Sequence, residues 1–235
     1  MNRRGKTLRF QAVIFDLDGT LLDTLDDIAD SANSVLKQFG YPTHPVEDYR
    51  FFVGDGVEML IRRVLPEGER TDDLVGRGVG RMREEYGRNW NVKTKPYAGV
   101  PSMLDALAAR NVKLAVLSNK PDEFTRACVE GLLPAWRFDV VAGQGPDVPH
   151  KPDPGGALWV ARKLGLPPER IVFLGDSGND MRAAVSAGMY PAGALWGFRP
   201  REELEASGAR ALMDRPEDVV ALIEGSSPDG PEQGE

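Results

Sequence analysis

Apolar residues recur along this chain with two different periods, and the change of period divides it. From Phe10 to Phe15 the chain is almost wholly apolar and runs into Asp16-Leu17-Asp18-Gly19-Thr20. A short β-branched and aromatic run closed by turn residues predicts a buried strand. Leu25, Ile28, Ala29, Ala32, Val35 and Leu36 then return at helical spacing, with Thr24 the expected N-cap and Gly40 the stop. Val46 to Phe52 predicts a short helix ending in the turn Gly54-Asp55-Gly56. Val57, Leu60, Ile61, Val64 and Leu65 form a further apolar face closed by Pro66, and Val75, Val79, Met82 and Tyr86 another that starts at Thr71. Gly76, Gly78 and Gly80 oppose that last helix by about 1 kcal/mol each against Ala. Residues 22–95 therefore read as a helical block without a strand.

Beyond Pro96-Tyr97-Ala98-Gly99 the pattern alternates. Helices are predicted at 101–110, 122–133, 154–165 and 181–187, with Asp153 capping the third and Gly165 and Gly188 as stops. Strands are predicted at 112–117, 139–142, 171–174 and 190–196, with an edge strand at 211–213. Strands alternating with helices imply a parallel sheet. The expected fold is α/β: a Rossmann-like parallel-sheet core with an inserted small α-helical cap. The expected core is 1–21 and 96–225, the cap is 22–95, and the Ser-, Pro- and Gly-rich tail 226–235 is expected to be disordered.

Composition narrows the function classes. The chain has 235 residues and a net charge of −7, which argues against nucleic acid as a partner. Its basic run, Arg3-Arg4-Gly5-Lys6, is expected to be a solvated terminus. No apolar segment has the length of a membrane span, and no secretory signal is read. The single cysteine, Cys128, lies on an apolar helical face with Phe124 and Ala127, so it is expected in the core of a cytosolic, soluble protein. His44 and His150 have no further partner pattern that suggests zinc.

The candidate chemistry sits at the predicted strand ends. Asp16 and Asp18 leave a strand two residues apart, on the same side. Like charges at that spacing resist joint ionisation, so a divalent cation or a shared proton is needed to relieve them. Ser118 and Asn119 follow a second strand, Asp176 and Asp180 a third, and Lys151 stands on a loop. In a parallel sheet these ends share one edge, where such sheets bind ligands. Several carboxylates, a hydroxyl and one lysine suit an anionic substrate bound through a hard cation such as Mg2+. Taken singly, Asp180 is also a plausible helix cap, Ser118 a turn residue and Lys151 a surface lysine.

Asp16-Leu17-Asp18-Gly19-Thr20, Ser118, Lys151 in Lys-Pro-Asp-Pro and Gly175-Asp176-Ser177-Gly178-Asn179-Asp180 resemble, in order, the four motifs of the haloacid-dehalogenase-like hydrolases. The resemblance implies that Asp16 is a nucleophile forming an aspartyl-phosphate and that Asp18 is its acid–base partner. It implies Mg2+ on Asp16, the Asp18 carbonyl and Asp176, with Asp180 supporting. Ser118 and the backbone around Asn119 would hold phosphoryl oxygens, and Lys151 would neutralise charge. An aspartate at position 18 fits the phosphatases and phosphomutases of the superfamily rather than its dehalogenases.

Phe52-Val53-Gly54-Asp55-Gly56, Asn119-Lys120-Pro121 and Trp196-Gly197-Phe198-Arg199 are similar to stretches of phosphoglycolate phosphatases. The expectation is a phosphatase for a small phosphorylated metabolite, 2-phosphoglycolate first, with Gly54, Asp55 and Gly56 facing the substrate. A glycine-requiring connector between helices is the plainer account of that turn. A sugar-phosphate phosphomutase and a non-catalytic regulator are the alternatives, and the protein is expected to be a monomer or homodimer.

Overall fold

The computed structural model describes residues 8–225; the basic run at 3–6 and the tail at 226–235 lie outside the described residues. The first strand, β1 (Ala12–Phe15), is buried on both faces. Val13 and Phe15 join one apolar cluster with Leu104, Val116 and Leu174, while Ala12 and Ile14 join another with Val160, Ile171 and Phe173. Burial on both faces is why the strand reads as an unbroken apolar run rather than an alternation. Each of its larger side chains contributes about 1.5–3 kcal/mol of hydrophobic stabilisation.

The chain then turns into β2 (Leu22–Asp23) and passes through the helices α1 (Leu25–Gln38), α2 (Tyr49–Phe52), α3 (Gly56–Val64) and α4 (Asp72–Asn89). It returns through β3 (Lys95–Pro96) to α5 (Val100–Ala108), β4 (Lys113–Pro121), α6 (Asp122–Leu132) and β5 (Val140–Gln144). The remainder is α7 (Gly155–Leu164), β6 (Ile171–Gly175), α8 (Gly178–Ser186), β7 (Tyr190–Ala194), α9 (Arg201–Ala206), β8 (Ala211–Met213) and α10 (Asp218–Glu224). Six strands form one sheet in the order β5-β4-β1-β6-β7-β8, every pair parallel. β1 lies between β4 and β6, so the loops leaving these three strands open beside one another at the carboxyl edge.

The helices α1 to α4 bury a separate apolar cluster that includes Ile28, Leu36, Tyr49, Ile61, Met82 and Tyr86, with Phe198 reaching in from the loop after β7. Gly76, Gly78 and Gly80 do not break α4. Gly78 is where α3 and α4 touch: an added Cβ there would stand 2.6 Å from the Ile61 side chain, so close packing uses the missing methyl.

Residues 22–95 do contain strand, contrary to expectation. β2 and β3 pair antiparallel, Leu22 opposite Pro96 and Asp23 opposite Lys95, and tie together the two crossings into the helical layer. Two-residue strands are too short to show a period. Beside them, the buried Asp27 carboxylate accepts hydrogen bonds from the N–H groups of Lys93 at 3.0 Å and Thr94 at 2.8 Å and from the Thr94 hydroxyl at 2.7 Å.

Some predicted caps shift as well. Thr24 precedes α1 but its backbone is helical (φ −106°, ψ 0°), and its buried hydroxyl has no hydrogen-bond partner among the described residues. A capping side chain needs the extended conformation to reach back to the first turn. α7 begins at Gly155, whose N–H donates to Asp153 Oδ1 at 2.7 Å. α8 begins at Gly178, three residues before the apolar signal at Met181, because the polar Ser177 and Asp180 form its start. Cys128 is buried, as expected, and burial pushes its thiol up to about 11.

Asp27→Ala leaves backbone donors near the crossings unpaired and should cost about 3 kcal/mol of stability, read as a lower urea midpoint; a change within experimental error contradicts the clamp. Cys128 should react with a thiol reagent at pH 8 only once the protein is unfolded, and rapid labelling of the native protein contradicts its burial.

Candidate active site

Asp16 is the first residue beyond β1, and its N–H donates to the Leu174 carbonyl of β6 at 2.9 Å. Its side chain meets Lys151, whose ammonium lies 2.8 Å from Asp16 Oδ1 and 2.6 Å from Asp180 Oδ1. Asn119 holds that lysine's loop. Its side chain accepts from the Lys151 N–H at 2.8 Å and donates to the Lys151 carbonyl at 2.9 Å. Asp180 sits in the first turn of α8, where its Oδ2 accepts from the N–H of Ser177 at 3.0 Å and the Ser177 hydroxyl at 2.6 Å. It therefore both closes the start of the helix, as in a capping box, and pairs with Lys151. Asp176, just past β6, accepts from the Phe198 N–H at 2.7 Å and the Thr20 hydroxyl at 3.3 Å.

Carboxylate oxygens of Asp16, Asp176 and Asp180 all lie within 4.8 Å of one another, and all three residues are buried. One lysine stands against three carboxylates. Burial first, and then the negative charges of Asp180 and Asp18, push Asp16 up to about 7 despite Lys151. Burial also raises Asp176 well above the usual carboxylate range, helped by Asp16 and Asp180. Asp16 and Asp180 keep Lys151 above its ordinary value although burial alone would lower it. An all-oxygen donor set with unbalanced negative charge fits a hard divalent cation, which would restore the ionised forms. Neither histidine joins the cluster: His44 bonds the Val64 carbonyl at 2.8 Å, and His150 lies against Gly56.

Asp18 faces the same cleft but meets a different cation. Lys120 places its ammonium 2.7 and 3.0 Å from the two Asp18 carboxylate oxygens, and also 4.6 Å from the centre of the Tyr86 ring. Ser118 lines the cleft beside them, with its hydroxyl oxygen accepting from the Lys120 N–H at 3.2 Å.

The turn 54–56 closes over this edge. The Gly54 carbonyl accepts from the Asn119 side chain at 2.9 Å, and Asp55 accepts from Asn179 at 2.6 Å while pairing with Arg63 at 2.5 Å. Burial opposes ionisation of Asp55, but these two partners outweigh it and hold its carboxyl low. Gly56 has φ +83°, and an added Cβ would stand 2.9 Å from His150, so both backbone and space call for glycine. Arg199 completes the closure by donating to the Val53 carbonyl at 3.0 Å.

The structure thus gathers Asp16, Asp18, Ser118, Asn119, Lys151, Asp176 and Asp180 at one edge and sets the turn 54–56 against them. The Asp18 carboxylate stands apart from the three-aspartate cluster. Sequence reasoning missed Lys120 and Asn179 as site residues. Lys120 stands next to Ser118 and Asn119 in a part of β4 whose ladder is irregular between Leu117 and Pro121, so strand alternation does not tell which way its side chain faces. Asn179 stands within the motif 175–180, but nothing in the sequence pairs it with Asp55.

The sequence model of the haloacid dehalogenase-like hydrolase family matches residues 13–194. A phosphoglycolate phosphatase of Nitrosospira multiformis is 33% identical over 224 residues, covering 94% of this chain and 98% of the relative. One from Aquifex aeolicus is 33% identical over 214 residues, covering 91% and 97%. A crystal structure from Lactobacillus delbrueckii subsp. bulgaricus superposes with a TM-score of 0.86 at 31% identity, over 92% of this chain and 98% of that one. The chain belongs to the haloacid dehalogenase-like hydrolases, in their phosphoglycolate phosphatase-like group, and is a phosphoric monoester hydrolase.

Proposed function

We propose that this protein is a magnesium-dependent phosphatase that converts 2-phosphoglycolate to glycolate and inorganic phosphate. The observation that carries the reading is Asp16: a buried carboxylate at the centre of the sheet edge, with Lys151 on one oxygen and Asp18 two residues away in the same cleft. Full-length relatives with that activity support the substrate.

In the first step an Asp16 carboxylate oxygen attacks phosphorus. The bond from phosphorus to the ester oxygen breaks, and Asp18 gives that oxygen a proton, since an alkoxide leaves poorly without one. In the second step Asp18 takes a proton from water as the water oxygen attacks the phosphorus of the aspartyl-phosphate. Asp16 is released and Asp18 is ready to donate again. The Ser118 hydroxyl and the backbone at Asn119 hold phosphoryl oxygens, and Lys151 offsets their charge. Asp16, Asp176 and the Asp18 carbonyl, supported by Asp180, would hold Mg2+, which supplies the positive charge that lets a carboxylate approach a phosphate dianion.

We take residues 1–21 and 96–225 as the catalytic core and 22–95 as a cap that excludes water when Gly54, Asp55 and Gly56 reach the core. A phosphomutase needs a free cap cation for a second phosphate. At this turn Arg63 is already bonded to Asp55 and to the Phe52 carbonyl at 2.9 Å. Cytoplasmic residence fits the single buried cysteine.

Phosphate release from 2-phosphoglycolate should fall to background in Asp16→Asn and on chelation, with Mg2+ restoring the chelated enzyme. Activity surviving the substitution contradicts covalent catalysis. Asp55→Ala removes the bond to Asn179 and should raise KM about tenfold; an unchanged KM would show that the turn does not help hold substrate.

A further inference from the structure

Lys120 lies in the cleft without a part in the chemistry just derived. Its side chain is 6% exposed, and its ammonium sits on both carboxylate oxygens of Asp18 at 2.7 and 3.0 Å. The Tyr86 ring of α4 covers it at 4.6 Å and is itself braced edge-on by Phe124 at 5.2 Å. The Tyr86 hydroxyl is buried, belongs to a residue lining the same cleft, and has no hydrogen-bond partner among the described residues. The other cations of the cleft are engaged elsewhere. Arg83 pairs with Glu123 at 3.3 Å and is half exposed, and Arg199 is spent on the Val53 carbonyl.

We propose that Lys120, with the Tyr86 hydroxyl beside it, is the specificity-determining pair that receives a carboxylate attached one carbon beyond the ester oxygen. The proposal rests on the phosphatase reading above and sharpens it. Whatever oxygen Asp18 protonates stands within one hydrogen bond of Asp18, and Lys120 stands within one hydrogen bond of Asp18 as well. Lys120 is therefore in reach of atoms two or three bonds past the ester oxygen. In 2-phosphoglycolate those atoms are the carboxylate carbon and its two oxygens.

The energetics favour the same substrate. To serve the ester oxygen, Asp18 must give up its two-oxygen hold on Lys120. With a neutral alcohol the ammonium then loses its partner in a buried site, which is strongly unfavourable. A substrate carboxylate takes Asp18's place on Lys120, so one ion pair replaces another, and the Tyr86 hydroxyl gains an acceptor. The pair thus rejects uncharged esters by what they leave unpaired, as sites built around buried polar groups do.

The test compares kcat/KM for 2-phosphoglycolate and for 2-hydroxyethyl phosphate, which puts a hydroxymethyl group where the carboxylate stands. It uses the wild type, Lys120→Met, Lys120→Arg and Tyr86→Phe with Mg2+ present. Any damage to Asp18 or to folding falls on both substrates alike, so the ratio isolates the carboxylate. The wild type should prefer 2-phosphoglycolate by about 100-fold or more, and Lys120→Met should remove most of that preference, mainly through KM. Lys120→Arg should restore part of it. Tyr86→Phe, which keeps the ring, should lower the ratio about fivefold.

A preference left intact in Lys120→Met and Tyr86→Phe overturns the proposal while the phosphatase reading stands. If Lys120→Met does not fold, an unchanged ratio in Tyr86→Phe and Lys120→Arg overturns it. A wild type that releases phosphate from neither ester overturns the phosphatase reading as well.

Discussion

Three carboxylates and one ammonium occupy a buried volume at the carboxyl edge of the sheet, and most of the surrounding structure exists to hold them there. Asp16, Asp176 and Asp180 repel one another, and Lys151 reaches only Asp16 and Asp180. Left to itself such a cluster would take up protons or push apart. It is held because its members come from rigid places: the ends of β1 and β6, the first turn of α8, and a loop pinned on both sides of its peptide by Asn119. A bound cation removes the conflict that the fold creates. The same unrelieved charge that makes the cluster costly on its own would give it affinity for a cation.

The helical layer matters because chemistry at that edge is open to water on one side. Its tie to the sheet is double. Two crossings, joined by the short β2–β3 ribbon and the Asp27 hydrogen bonds, fix where the layer begins and ends. Across the cleft, contacts from Asn119, Asn179 and Arg199 reach the turn at 53–55. The first tie is a short ribbon with the buried Asp27 carboxylate beside it, the second a set of polar, part-buried contacts. On the proposed reading of 22–95 as a cap, the ribbon would serve as the fixed side and the polar contacts as the side that opens.

Much of this was legible in the sequence because the core obeys simple rules. Strands buried on both faces are apolar runs, and Asp16, Ser118 and Asp176 each come directly after such a run in the sequence. The alternating order placed those ends on one edge before any coordinate was known. What was not legible depended on partners far apart in the chain. The β2–β3 ribbon is too short to carry a period. Thr24 has the side chain of a cap but the backbone of a helix. Asp18 stands beside Asp16 in sequence, whereas in space its carboxylate pairs with Lys120, 102 residues on. The β4 ladder is irregular around Lys120, and no pattern in the sequence joins that lysine to Asp18 or Tyr86.

The central claim is that Asp16 becomes phosphorylated in turnover. Borohydride reduces an acyl phosphate to the alcohol, so quenching the enzyme during steady-state turnover of 2-phosphoglycolate with Mg2+ marks the phosphorylated residue for peptide mass spectrometry. Covalent catalysis by Asp16 gives homoserine at position 16 and unmodified aspartate at 18, 176 and 180, with no reduction when substrate is left out. Reduction at another aspartate, or none during active turnover, contradicts it.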